Sequence, residues 1–213
     1  MILVFVMIFL LGASVGITVY KKNKNKELEV LSSVLKETAI ELDAKDPYFN
    51  GHTKRVIEGA IKIAKEIGLK KKDITEIELS GYLSEIGKIR IPEKILLKRD
   101  KLTEEEYNII KKHPVIAYKM IENVKELNKV GKIVRAHHER YDGTGYPDGL
   151  EGDYIPVGAR ILSLVDAYDA MISDRPYKEK MTEVEVISEL EKGKGKQFDP
   201  KLVDIYLEIL KKS

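Results

Sequence analysis

Apolar residues recur at mixed spacings of three and four through most of the chain beyond position 26, the period of an amphipathic helix and not of a strand. Residues 27–45, ELEVLSSVLKETAIELDAK, place Leu28, Val30, Leu31, Val34 and Leu35 on that spacing and predict a first helix. Residues 53–68 repeat it through Val56, Ala60, Ile61, Ile63, Ala64 and Ile67, with Gly68 as the stop. Asp73 with Glu76 makes a capping-box pattern that predicts a helix over 74–86, and Thr103 with Glu106 and Thr182 with Glu185 start two more. Asp199-Pro200 offers an N-cap and a first-turn proline for a last helix, LVDIYLEILKK. No alternating stretch of useful length and no internal repeat occurs, so the expected fold is all-α, a helical bundle. Three connections stand out: 46–52 (DPYFNGH), a basic 87–102 (GKIRIPEKILLKRDKL) and a glycine-rich 141–156 (YDGTGYPDGLEGDYIP) too long for a plain turn.

The N-terminal stretch breaks the pattern. Residues 1–20, MILVFVMIFLLGASVGITVY, carry no charged side chain and run straight into KKNKNK. That is just long enough for one helix across a bilayer. A cleaved signal peptide, the rival reading, would want a basic residue before the apolar run and a small-residue cleavage site after it. The lysines keep their side of the membrane cytoplasmic, so the expectation is a single-pass anchor in the cytoplasmic membrane with the C-terminal part in the cytosol. The domain plan is then an anchor over 1–20, a basic juxtamembrane segment and stalk or first helix over 21–45, and one domain over 46–213. Leu28, Leu31 and Leu35 could also seam two copies into a homodimer through the stalk.

Charge and composition narrow the chemistry. The 213 residues hold 37 Lys and Arg against 35 Asp and Glu, a net charge of +2, so no nucleic-acid partner is expected. With no cysteine, a metal could be held only by His, Asp and Glu. There are four histidines: His52 opening a helix, His113 before Pro114, and the pair His137-His138 closing one. Adjacent residues at a helix end point about 100° apart, so the pair converges on one centre only at an end or a bend. Asp166 lies among Ile161, Leu162, Leu164, Val165 and Ala167, with Asp169 on the same face. A carboxylate buried there needs a cation or a metal. Two readings stay open from the residues alone: metal ligands, or histidines serving a helix C-terminus and an Asp166 paired with Arg160 or Arg175.

The blocks HHERYDGTGYPDGL, DPYFNGHTKRV, IGKIRIPEKIL, KKHP, IPVGARILSLVDAYDAM, SDRPYK and FDP, in this order, resemble an HD-GYP domain from about residue 27 to the end. The resemblance implies an all-α metal-dependent phosphohydrolase that cleaves cyclic di-GMP to pGpG or GMP with a divalent transition-metal cofactor, Fe or Mn. It makes His52, His113, His137, His138 and Asp166 metal ligands. Gly145, Tyr146 and Pro147 become the triplet whose loop lines the pocket. It gives Lys88 a catalytic part, and Lys88, Tyr146, Asp169, Arg175 and Lys178 contacts to the dinucleotide. Tyr48 stands where a three-metal variant has glutamate, which leaves two metals as the ceiling.

One motif departs. Where the family reads LHDIGK this chain reads LSEIGK, so Ser84 and Glu85 replace the named His-Asp pair. Glu85 keeps a negative charge and can serve as a metal ligand and bridge, while Ser84 removes an imidazole. The expectation is one metal held well by Glu85, His113, His137 and His138, a second held weakly by His52 and Asp166, and slow hydrolysis. The alternative is an inactive domain that binds cyclic di-GMP or a protein partner and signals without turnover.

Overall fold

The structure, a computed structural model, describes residues 24–45, 51–98, 100–173 and 180–212. The apolar run 1–20 and the membrane address drawn from it, Tyr48, Arg175 and Lys178 lie outside those residues. Among the described residues no helix is long and apolar enough to cross a membrane. Among the described residues every regular element is helical, and β geometry is confined to two isolated bridges, Asp142 with Glu151 and Lys194 with Phe198.

The helices are α1 (Lys24–Lys45), α2 (His52–Glu66), α3 (Lys71–Leu83), α4 (Glu93–Leu96), α5 (Glu104–Ile110), α6 (His113–Ile121), α7 (Asn128–Ala136), α8 (Val157–Ile172), α9 (Glu183–Gly193) and α10 (Pro200–Lys211). Short 3-10 turns cover Ile86–Arg90, Lys125–Leu127 and Gly152–Tyr154. Thr103 and Thr182 each cap their helix in a reciprocal box with Glu106 and Glu185, and Asp199 accepts the Lys201 amide at 2.9 Å. The expected box at Asp73 does not form. Helix α3 begins at Lys71 behind Lys70, which makes no side-chain cap, because Asp73 and Glu76 turn across to Lys129 on α7 at 3.4 and 3.5 Å. Residues 87–102 are also less of a loop than the sequence suggested, since Ile91 and Ile95 are buried and draw the segment into helical turns.

Two apolar clusters fill the bundle. One joins Val56, Ala60 and Ile63 of α2 with Ile161, Leu162, Leu164 and Val165 of α8, and with Val186, Leu202, Val203 and Tyr206 of α9 and α10. The other joins Leu35, Leu79, Leu83, Ile86, Ala117, Ile121 and Leu127. Helices α3 and α7 contribute to both, through Ile77 and Ile133 to the first, and through Leu83, Val130 and Val134 to the second. Leu31 and Leu35 of α1 belong to the second cluster. Of the three residues read as a seam between two copies, Leu28, Leu31 and Leu35, Leu35 is buried and Leu31 partly buried inside the protomer, so the structure gives that seam no support.

Gly87 sets how the two halves of the second cluster meet. A β-carbon at this position would overlap the His113 carbonyl and crowd the Ala117 amide, so only glycine lets the Ile86–Arg90 turn lie flat on the first turn of α6. Gly87→Ala should therefore destabilise by roughly 2 kcal/mol or more, lowering the melting temperature by at least about 4 °C. A melt followed by circular dichroism checks this, and an unchanged midpoint would mean the contact is soft.

Candidate metal centre

The seam between the two clusters holds the polar residues. Glu85 comes from the turn after α3, His113 from the start of α6, and His137 and His138 from the end of α7. Each helix presents its ligand at a terminus, where the chain can turn a side chain across the end of the bundle. Pro114 follows His113 at the head of α6 and has no amide hydrogen, so α5 stops at Ile110 and α6 starts afresh instead of kinking within one helix.

One ligand atom from each of these four residues lies within 4.8 Å of the other three. His113 Nε2 is 3.3 Å from His137 Nε2, and both are 3.6 Å from Glu85 Oε1. Donors about 2.0–2.2 Å from a shared ion stand about 3–3.5 Å from one another, so the set is close to closing on one. The other ring nitrogens are already used: His113 Nδ1 donates to the Ile110 carbonyl at 2.8 Å and His137 Nδ1 to the Val134 carbonyl at 2.6 Å. That leaves Nε2 bare and aimed inward, the arrangement that orients metal-bound imidazoles. His138 is held well below the usual imidazole range by burial and by His137, so it is neutral. Burial would raise the Glu85 carboxyl, but Lys88, His113 and His137 outweigh it and hold the group well below the ordinary range. Lys88 Nζ pairs directly with Glu85 Oε2. An ionised carboxylate and a neutral imidazole are the forms a divalent cation requires, so the donor set fits one.

His52 and Asp166 lie beside this group, not within it. His52 Nε2 faces Asp166 Oδ1 at 3.2 Å and Nδ1 faces Asp169 Oδ2 at 2.7 Å. Burial alone would lower His52, but the two aspartates raise it to about 9. Asp169, and not Asp166, is the deeply buried carboxylate of α8: its side chain is 2% exposed against 33% for Asp166, which opens onto the small cavity lined by His52, Ser84, Glu85 and His137. Both Asp169 oxygens are taken, by His52 and by Arg55, whose Nε reaches Oδ1 at 2.5 Å. The sequence reading assigned Asp169 to the dinucleotide; the structure turns it inward, behind His52. Arg160 binds Asp153 and Asp199, each at 2.6 Å, and so is not the partner of Asp166. Ser84 gives its hydroxyl to the Gly81 carbonyl at 2.9 Å, away from the cluster.

The glycine loop covers the other side. A β-carbon at Gly145 would overlap the Glu139 and Arg140 backbone, so the loop presses on the chain just after His138 only because residue 145 has none. Tyr146 donates its amide to the His138 carbonyl at 3.2 Å, and its ring lies 4.9 Å from that of His138 at a tilt of 30°. Glu139, which the sequence reading passed over, is the loop's anchor. It is 2% exposed and accepts the Asp148 and Leu150 amides at 2.7 and 3.1 Å. Arg135 adds a two-pronged contact to Asp148 at 2.6 and 2.7 Å. A glutamate at a helix end is usually solvated, and its only sequence signal is its place between the histidine pair and the glycines. Arg55 had a clearer one, sitting three residues after His52 on the same face of α2.

The HD domain family profile matches residues 38–202. The chain is 40% identical over 186 residues to the cyclic di-GMP phosphodiesterase response regulator RpfG of Xanthomonas campestris, covering 86% of this chain and 48% of that protein. It is 33% identical over 198 residues to the 3'3'-cGAMP-specific phosphodiesterase 2 of Vibrio cholerae, covering 92% of this chain and 38% of that one. The chain thus spans half or less of the length of these relatives. Among solved structures it superposes on the HDG"Y"P protein Bd1817 of Bdellovibrio bacteriovorus with a TM-score of 0.65 at 19% identity, over 87% of this chain and 64% of that one.

Glu139→Ala strands two loop amides, and leaving buried groups unpaired costs about 1–3 kcal/mol each. The variant should melt well below the parent and lose hydrogen-exchange protection at residues 148–150 while α2 and α8 keep theirs. Uniform loss or none would show that the loop is held by something else.

Proposed function

This chain belongs to the HD domain family, and from that membership we propose that it is a metal-dependent phosphodiesterase whose substrate is a cyclic dinucleotide, cyclic di-GMP foremost. The observation that carries the reading is the convergence of Glu85, His113, His137 and His138 beneath the Tyr146 loop. A divalent ion there, Fe or Mn, supplies charge for the phosphate oxygens and acidifies water. The chain's own residues do the rest. Glu85 and the three imidazoles would hold the ion, and the Lys88 ammonium, paired with Glu85, can turn to a phosphate oxygen. Tyr146 walls the pocket on the His138 side, and the Asp169–Arg55 pair fixes the His52 ring in place. Arg175 and Lys178, which follow α8, are the further phosphate contacts in this reading.

The second half-site is the weak part. Its imidazole is missing at Ser84, and His52 and Asp166 are paired with each other. We therefore read turnover as slow and limited by the second ion. A binder without turnover is the second reading, and Ser84 is what favours it.

The full chain, purified anaerobically and supplied with Fe²⁺ or Mn²⁺, should retain about one tightly held ion after desalting. Glu85→Ala should lose both the ion and the conversion of cyclic di-GMP followed by chromatography. Ser84→His combined with Glu85→Asp should raise the ion count toward two and the rate by at least about tenfold, as a completed two-metal site would. Turnover confined to the double variant would make the natural chain a binder. Two tightly held ions in the natural chain would refute the weak half-site.

A further inference from the structure

The turn between α5 and α6 does more than deliver His113. Lys111, the residue that closes α5, carries its ammonium 4.6 Å from the centre of the Tyr107 ring and 5.8 Å from that of Tyr146. Both distances are within cation–π reach. Tyr146 in turn lies against His138. His138 thus touches the Tyr146 ring, and the Lys111 ammonium links that ring to Tyr107. Tyr107 is 45% exposed and packs in neither apolar cluster. Among the described residues Lys111 pairs with no carboxylate, whereas the nearby Lys98 is tied to Glu106 at 2.5 Å. An exposed aromatic and a cation without a carboxylate partner thus stand side by side, next to the Tyr146 ring that covers His138.

Their chemistry suits a nucleobase. Aromatic side chains take any base on its flat face. An ammonium is a donor only. Guanine offers it two acceptors on one edge, O6 and N7, while adenine puts an amino donor where guanine has O6. We infer that Tyr107 and Lys111 form a base-reading lip for one base of the cyclic dinucleotide, with Tyr107 stacking on it and Lys111 making the lip prefer guanine to adenine. The inference rests on the proposed function and adds to it a specificity determinant outside the metal ligands and the glycine loop. Lys111 lies within 5.8 Å of the Tyr146 ring, which itself packs on His138, so the lip adjoins the centre.

The test is steady-state kinetics of the Mn²⁺-loaded full chain on cyclic di-GMP and cyclic di-AMP, with calorimetric affinities taking the place of KM if turnover is too slow to follow. Lys111→Met keeps the aliphatic stem and removes the charge. It should raise KM for cyclic di-GMP by about tenfold, leave KM for cyclic di-AMP within twofold and leave kcat in place. Tyr107→Ala should raise KM for both substrates by about tenfold, and Tyr107→Phe should restore it, since stacking needs only the ring. An unchanged guanine-to-adenine ratio in Lys111→Met, or a fall in kcat with KM unmoved, overturns the inference and leaves the proposed function standing. The parent chain is also assayed on bis(4-nitrophenyl) phosphate, a diester without bases. Cleavage of that compound with no binding of either cyclic dinucleotide would overturn the proposed substrate, and this inference with it.

Discussion

Three imidazoles and a carboxylate face one another across a few ångströms in a seam between two apolar clusters, and the architecture is arranged around keeping them there. Polar groups in such surroundings are costly unless every donor and acceptor is used. Here the outward nitrogens of His113 and His137 are spent on backbone carbonyls, Glu85 is balanced by Lys88, and burial, with His137 beside it, keeps His138 neutral. What remains unspent points at one place. The helix breaks place these ligands: α3 stops before Glu85, α5 before His113 and α7 before His137, so each comes from a helix end that turns toward the common point. Gly87 supplies the closeness, since the turn bearing Glu85 could not approach α6 with any side chain at that position.

Around this centre the supporting contacts divide by side. On one, Arg55 grips Asp169, Asp169 grips His52, and His52 faces Asp166, so a charged chain runs from the surface to the cavity edge. Ser84 contributes nothing to it, its hydroxyl being turned back onto its own helix. On the other, Glu139 and Arg135 hold the loop that seats Tyr146 against His138. The first side is an ion-pair network built around a gap, the second a packed wall. In the proposed reading, that asymmetry is what Ser84 and Glu85 bring about where the resembled family has His and Asp.

Helix order and three of the four helix starts argued from caps were legible from the chain alone, as were the four histidines as candidate ligands; the structure gathers three of them, His113, His137 and His138, around Glu85 and leaves His52 beside the group. Thr103, Thr182 and Asp199 cap as their local pattern says because an N-cap bond closes within three residues and needs no tertiary partner. Asp73 with Glu76 carries the same pattern and fails, because Lys129, distant in sequence, competes for both carboxylates. Leu31 and Leu35 fit the spacing of a core face and, more weakly, of a seam for a second copy; in the structure they pack into the second cluster, with α1 lying against α3.

The sequence by itself determined what depends on near neighbours: the helical period, the capped starts, the proline break before α6, and the absence of thiols that confines any metal to His, Asp and Glu. The tertiary structure alone decided which carboxylate does what. Asp166 and Asp169 sit three residues apart on one helix, yet the first opens on the cavity and the second is sealed behind His52. Glu139 became an anchor and Lys111 came to rest over two tyrosines by the same route. Whether a charge is buried, and against what, is set by elements far apart in the chain that meet only when the two clusters close. A side chain's local sequence carries no record of that meeting.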